Sequence, residues 1–254
     1  MVYMYDGSFD GLLSVVFESY VSKERPVQIV KEQKWHPTFF DTTKQIITDE
    51  IKSERVWQSI ITRSGTSVSQ MLYTAFASEL PDIELKIFYY LEKLFADTSG
   101  NYSRNLLDEH AFDLFNIARK VRYEAHRFKG FVRFQETSDG LFFSAIDPVF
   151  NILSLLAPHF ASRYADQKWV IYDTKRDKGI YFDPSGIREI VLTEKQFNQL
   201  NGRISHHIRS EDEDLYQKLW KTYYKAINIP ERKNTRLMMH FLPRRYWKYL
   251  PEKH

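Results

Sequence analysis

Hydrophobic residues recur every three or four positions through the first half of the chain, which is the spacing of amphipathic helices. In residues 9–20, Leu12, Leu13, Val16 and Phe17 fall on one stripe. The same spacing predicts further helices over 43–52, 56–62, 68–80, 82–96 and 105–127. Two brief strands are also predicted, one at 3–5 and one at 27–30, where apolar and polar residues briefly alternate.

The pattern changes after this region, where aromatic and β-branched runs with a period of two indicate strands. These runs predict strands at 131–134, 141–146, 168–173, 179–183 and 187–191. Turn sequences at 137–140 and 176–179 join the first four strands into two hairpins. Between the hairpins, Asp147 and Pro148 predict the start of a helix that runs to about residue 156.

Helices are predicted again in the last quarter of the chain. Thr193 with Gln196 forms one capping box and Ser210 with Glu213 forms a second, so a helix is expected to start at each. A final helical turn is predicted over 244–249, after a proline.

This order of elements is typical of an α+β protein. We predict a mostly helical fold with a small antiparallel sheet, a hairpin–helix–hairpin core, flanked by helices. The length of the chain suits one domain, 1–254. Its predicted parts are a possible helical insert over about 42–118, the core over about 128–191 and a helical, basic C-terminal part over 193–254.

The composition excludes several classes of chemistry. The chain has no cysteine, so disulfides, thiolate metal sites, cysteine-ligated clusters and cysteine nucleophiles are ruled out within it. Its eight histidines show no metal-binding spacing, and we predict no metal and no cofactor. No apolar run is long enough to span a bilayer, and the start of the chain does not resemble a signal peptide. We therefore expect a cytoplasmic protein that does not bind membranes.

Basic residues are concentrated in two regions of the chain. The formal net charge is only +3. Residues 119–133 contain six basic residues and a single acid, Glu124, and the segment from 231 onward is also rich in arginine and lysine. Such segregation predicts a basic face that could bind nucleic acid. Exposed faces of unrelated helices would give the same pattern, so both interpretations stay open.

Four residues are candidates for acid–base chemistry: His126, Asp147, Asp173 and His240. Three of them also have a structural explanation, because His126 can cap a helix and the two aspartates lie at strand ends where they can form caps or turns. The chain contains no phosphate-binding glycine loop, no nucleophile elbow and no deaminase zinc motif. These absences favour a protein that is not an enzyme, without settling the question.

The arginine-rich and aromatic C-terminal segment is the strongest candidate for a binding surface. Arginines can neutralise phosphates and aromatic rings can stack on bases. Arg133 is a further candidate, on the predicted strand 131–134. The full candidate set for nucleic-acid contact is Arg127, Lys129, Arg133, Arg176, Arg236, Arg244, Arg245, Tyr246 and Trp247. Trp247 could equally anchor the segment in the core.

Four segments of the sequence resemble the motifs of one bacterial family: Tyr5–Leu13, Glu124–Phe134, Trp169–Arg176 and Leu242–Trp247. The family is a domain of unknown function associated with DNA metabolism or DNA repair. It is similar to a domain that other proteins carry fused to a uracil-DNA-glycosylase-like module, and its stand-alone members are typically encoded beside a radical SAM protein. The motifs of the glycosylase module itself are absent, so the resemblance does not imply glycosylase activity.

The resemblance implies a DNA-binding accessory protein in DNA repair or modification, with DNA and a radical SAM protein as partners. Two alternatives remain open. The first is an enzyme that processes nucleic acid, which predicts that the four acid–base candidates converge in one pocket. The second is a protein-binding scaffold, which predicts an exposed apolar patch without a basic groove.

Overall fold

The computed structural model describes residues 1–35, 42–105 and 107–253. The chain divides into two compact units, Met1–Val121 and Arg122–His254. It mixes helices with two small sheets, so the predicted α+β class is confirmed. Within the described ranges, no helix combines the length and apolar character needed to cross a membrane.

The elements of the first unit begin with a strand and end with a long helix that continues into the second unit. In order they are β1 Val2–Tyr5, α1 Phe9–Ser22, β2 Gln28–Lys31, β3 Thr43–Gln45, α2 Glu50–Ser64, α3 Thr66–Phe76, α4 Ile83–Ala96 and α5 Glu109–Phe131. The three strands form a parallel sheet in the order β2-β1-β3. Buried side chains of β1 and of α1 to α4 form the hydrophobic core of this unit.

The predicted helix over 43–52 is wrong except for its last residues. The predicted helix over 56–62 is confirmed, as part of the longer helix α2. Residues 43–45 form β3, which pairs with β1, and the backbone N–H of Ile46 donates to the carbonyl of Met4 at 2.8 Å. Helix α2 starts later and is continuous, because the Asp49 carboxylate accepts from the backbone N–H groups of Ile51 and Lys52 and so caps it.

The elements of the second unit form a five-stranded sheet with helices around it. After α5 they are β4 Gln135–Glu136, β5 Phe142–Ile146, α6 Leu153–Arg163, β6 Trp169–Asp173, β7 Lys178–Asp183, β8 Gly186–Ile190, α7 Glu213–Ala226 and α8 Thr235–Phe241, followed by a 3-10 helix, Arg244–Tyr249. The sheet order is β4-β5-β6-β7-β8. Its hairpins are antiparallel, but β5 and β6 are parallel across α6, so the predicted antiparallel sheet is only partly matched.

The predicted strand over 131–134 is wrong because α5 continues to Phe131. The backbone N–H of Val132 still donates to the carbonyl of Phe128 at 3.1 Å. The Arg133 guanidinium then donates to the carbonyls of Gly130 and Val132, which occupies acceptors that the end of a helix leaves unpaired. Arg133 therefore terminates a helix and does not lie on a sheet face.

The predicted helix start at Asp147 and Pro148 is also wrong, because residues 147–152 form a loop and α6 begins at Leu153. The backbone of this loop forms hydrogen bonds with side chains from two other segments of the chain. The Glu124 carboxylate accepts from the N–H groups of Val149 and Phe150, while Lys175 and Arg176 donate to the carbonyl of Val149. These partners replace the hydrogen bonds that a helix would supply.

The two capping boxes have different outcomes. No helix follows Thr193, and a bridge between Phe197 and Ile204 closes a loop there instead. A helix does follow Ser210, but it starts at Glu213, whose carboxylate accepts from the backbone N–H of Glu136 at 2.8 Å. Glu213 is therefore used to attach α7 to β4.

Candidate nucleic-acid interface

A cleft of about 980 Å³ lies within the second unit. Its walls come from the end of α5, from β4, from α6 and α7, from the loop around residue 202 and from the C-terminal turns. The lining combines basic and aromatic side chains: Lys129, Arg133, Arg163, Arg203, Lys248, Phe134, Phe142, Phe160, Tyr164, Tyr216, Trp220 and Tyr249. The only acids in the lining are Glu136 and Glu213.

Three cations of the cleft have no acidic partner. Lys129, Arg163 and Arg203 are exposed, and no carboxylate among the described residues lies within ion-pair distance of any of them. They come from three different segments, α5, α6 and the loop before α7. Because their charges are uncompensated, they are available to an anionic ligand.

The charges of Lys129 and Arg163 also act on a neighbouring histidine, His159. The pKa of His159 is lowered, first by burial and then by the charges of Lys129 and Arg163. Positive charges disfavour a protonated imidazole, so this shift agrees with a local excess of positive charge.

The other two cations of the lining are already paired. Arg133 forms an ion pair with Glu252 at 2.8 Å, and Lys248 forms one with Asp147 at 2.8 Å. Glu252 also accepts a hydrogen bond from the Trp220 indole at 2.9 Å. Burial alone would raise the pKa of Glu252, but Arg133 and Trp220 outweigh it and the pKa is lowered. The charged carboxylate thus fixes one wall of the cleft.

Two aromatic rings of the cleft, those of Tyr164 and Trp220, are held in place by their neighbours. The ring of Tyr164 lies against Phe134 and Phe160, at centroid distances of 5.6 and 6.2 Å. The ring of Trp220 lies beneath the Arg133 guanidinium at 5.0 Å. Tyr216, on the same helix as Trp220, exposes 56% of its surface. Fixed rings of this kind offer faces for stacking.

Tyr246 does not offer its ring to a ligand, contrary to its predicted role. It is 2% exposed and packs against Phe128 and Phe131. Its hydroxyl donates to the buried Glu124 carboxylate, and the pKa of Tyr246 is raised, mainly by burial and then by Glu124. Tyr246 therefore links the C-terminal turn to α5.

Arg176 is likewise an interior residue. Its guanidinium donates to the fully buried Asp173 at 2.8 Å and to the carbonyl of Val149 at 2.9 Å, and only 9% of its side chain is exposed. Burial raises the pKa of Asp173 in spite of the opposing effect of Arg176. We exclude Arg176 from the proposed phosphate contacts because its donors are directed into the protein.

The remaining predicted contact residues lie outside the lining of the cleft. Arg127 stacks on Tyr123 and donates to the carbonyl of His240 at 2.7 Å. Trp247 donates its indole N–H to the carbonyl of Leu242, in keeping with an anchoring role. Three further arginines of the predicted set are exposed but do not line the cleft: Arg236, Arg244 and Arg245. Of the predicted set, Lys129 and Arg133 alone line it.

The four acid–base candidates do not line the cleft. His126 and His240 are exposed, Asp147 is paired with Lys248, and Asp173 is fully buried against Arg176. In the part of the chain that the structure describes, no group of three or more histidines and carboxylates could hold a metal ion. His36 and His254 lie outside the described residues.

Several cleft residues escaped prediction from the sequence. Arg163 and Tyr164 stand at the end of α6, whose position was misjudged, and Arg203 lies in a loop that was predicted as helix. Tyr216 and Trp220 lie on the helix predicted after Ser210, but nothing in the sequence singled them out. The local signal at Arg203 is the preceding Gly202, which has φ +72° and lies so close to Tyr249 and Ala145 that a Cβ atom would clash.

The sequence profile of a domain of unknown function, DUF4130, matches residues 81–252. The chain belongs to the DUF4130 family. No curated protein shows significant similarity to it. The DUF4130 match includes every residue that lines the cleft and leaves out the motif Tyr5–Leu13. As the family is described only by its unknown function, membership identifies no reaction.

Proposed function

We propose that this DUF4130 protein is a DNA-binding accessory protein of the bacterial cytoplasm, active in DNA repair or modification. The observation that supports the proposal is the cleft of the second unit. It combines three unpaired cations, Lys129, Arg163 and Arg203, with fixed aromatic rings. Cations neutralise phosphates and rings stack on bases, which is the combination found in proteins that bind nucleic acid without reading base edges.

The proposal predicts a specific dependence on salt. Three phosphate contacts to a single strand should give a plot of log K against log salt concentration with a slope of about −2, or somewhat steeper with a duplex. The measurement is fluorescence anisotropy with labelled DNA and the purified chain, between low and physiological salt. Binding that does not change with salt, or no binding at low salt, would contradict the proposal.

We further propose that the protein acts together with a radical SAM protein. The support is the family resemblance, and in such a pair the cluster ligands would come from the partner because this chain has no cysteine. A specific observation also favours a docking role. Along α7, Leu215, Leu219, Tyr223 and Ile227 each expose more than half of their surface. Exposed apolar stripes of this kind are typical of protein interaction sites.

The docking role predicts that the chain co-elutes with a radical SAM protein from the same organism. Leu219→Lys should abolish co-elution in gel filtration, because it places a charge in the middle of the stripe. Lys218→Gln on the same helix is the matched control and should leave co-elution unchanged. If Leu219→Lys co-elutes as the wild type does, the stripe is not the docking surface.

A further inference from the structure

The size of the cleft limits which form of nucleic acid can enter it. Its volume of about 980 Å³ is equivalent to a cube about 10 Å on a side. The major groove of B-DNA alone is about 12 Å wide, so a complete double helix is too large for such a space. A short unpaired segment fits it, with one or two bases inside and the neighbouring phosphates at the mouth.

The aromatic walls favour bases that are not already stacked. Tyr164 directly follows the end of α6, and Tyr216 and Trp220 lie on α7. In a duplex both faces of each base are covered by neighbouring bases, so the rings could gain nothing from it. An unpaired base can place a face against a ring, and such stacking is tolerant of sequence because every base has a π-face.

Most of the side-chain amides in the lining are engaged within the protein. The side-chain amide of Gln135 donates to the carbonyl of Gly202 at 2.8 Å and accepts from the backbone N–H of Ile204 at 3.2 Å. Gln217 donates to Glu213, and Asn201 accepts from the backbone of Arg203. Gln135 is therefore fully occupied, and Asn201 and Gln217 are each occupied at one end of the amide. This limits the groups that can read base edges, and reading base edges is the main source of sequence specificity.

We infer that the cleft binds an unpaired stretch of nucleic acid, with bases stacked on Tyr164, Tyr216 and Trp220 and with little preference for sequence. The phosphates on either side of these bases contact Lys129, Arg163 and Arg203. This inference rests on the proposed function and adds to it the strandedness of the ligand. A protein with such a site would act on DNA that is already single-stranded or locally opened.

The test compares two exposed tyrosines. Tyr216 lines the cleft and exposes 56% of its surface, whereas Tyr20, on α1 of the first unit, exposes 48% and does not line the cleft. Tyr216→Leu should weaken binding of a labelled oligo(dT) by roughly 5- to 150-fold, the range for loss of one stacked base. Tyr20→Leu should bind oligo(dT) as the wild type does, and melting curves of both variants would verify that they are folded.

A hairpin duplex of equal length and an oligo(U) complete the experiment. The wild type should bind oligo(dT) at least about 10-fold more tightly than the duplex. Equal affinity for the duplex, or no effect of Tyr216→Leu, would overturn the inference and leave DNA binding standing. Failure to bind any of the probes would overturn the proposed function as well. Tighter binding of oligo(U) would support an unpaired ligand and overturn the choice of DNA.

Discussion

Replacing Lys129, Arg163 and Arg203 together with glutamine should weaken binding of single-stranded DNA by about 100-fold at 0.1 M salt. Each phosphate contact to a single strand contributes about −0.7 to the slope of log K against log salt, so three contacts contribute about −2. Their loss should therefore remove nearly all of the salt dependence. All three side chains are exposed and without acidic partners among the described residues, so the change should leave the fold intact.

The matched control is a second triple variant with the same loss of charge. Arg232, Arg236 and Arg244 are also exposed, but they do not line the cleft. Their replacement with glutamine should change affinity only slightly, through the smaller net charge. If this control loses binding while the first variant retains it, the basic C-terminal segment is the contact surface, as the sequence had suggested, and the cleft is not.

Glu124→Gln should destabilise the protein more than any change in the cleft. The Glu124 carboxylate is 6% exposed and accepts from the backbone N–H groups of Val149 and Phe150 and from the Tyr246 hydroxyl. An amide would turn an N–H donor toward these donors and would lose the charge that strengthens the bonds. We expect a loss of about 3 kcal/mol in the free energy of unfolding.

Thermal melting followed by circular dichroism would measure this effect. A loss of that size corresponds to a fall in Tm of roughly 6–12 °C for a chain of this length. Glu211→Gln is the control, since Glu211 is exposed just before α7 and its replacement should leave Tm unchanged. An unchanged Tm for Glu124→Gln would show that the carboxylate does not hold the loop 147–152 and the C-terminal turn together.

The sequence predicted those elements whose own residues determine them. Helices α1 and α4 carry clear apolar stripes, and the strands β6, β7 and β8 are separated by turn residues, so each was found close to its observed position. The sequence did not predict the parallel pairing of β5 with β6, and it did not predict that β3 exists. Both depend on contacts between segments far apart in the chain.

Loop 147–152 shows why local rules fail at particular places. Asp147 and Pro148 favour a helix start, yet the loop is held by Glu124, more than twenty residues earlier, and by Arg176, more than twenty residues later. Glu124 and Arg176 belong to two different motifs of the sequence, and Tyr246, which also donates to Glu124, belongs to a third. The motifs therefore encode a shared set of long-range hydrogen bonds, which a one-dimensional pattern does not reveal.

The site was predicted only in part for the same reason. The clustering of basic residues along the chain identified Lys129, which is exposed in the structure and has no acidic partner among the described residues. The predicted contact set also contains Arg176 and Tyr246, whose polar groups have buried acidic partners, Asp173 and Glu124. Whether an arginine or a tyrosine is available to a ligand depends on such partners, and these become visible only when the fold is known.

The most direct test of the cleft as the nucleic-acid site is photo-crosslinking. Oligo(dT) carrying photoreactive bromodeoxyuridine would be irradiated with the purified protein, and the crosslinked peptides identified by mass spectrometry. The structure predicts crosslinks at Tyr164, Tyr216 or Trp220, and their loss when unlabelled oligo(dT) competes. Crosslinks confined to Trp247 and its neighbours, with none in the cleft, would contradict the account.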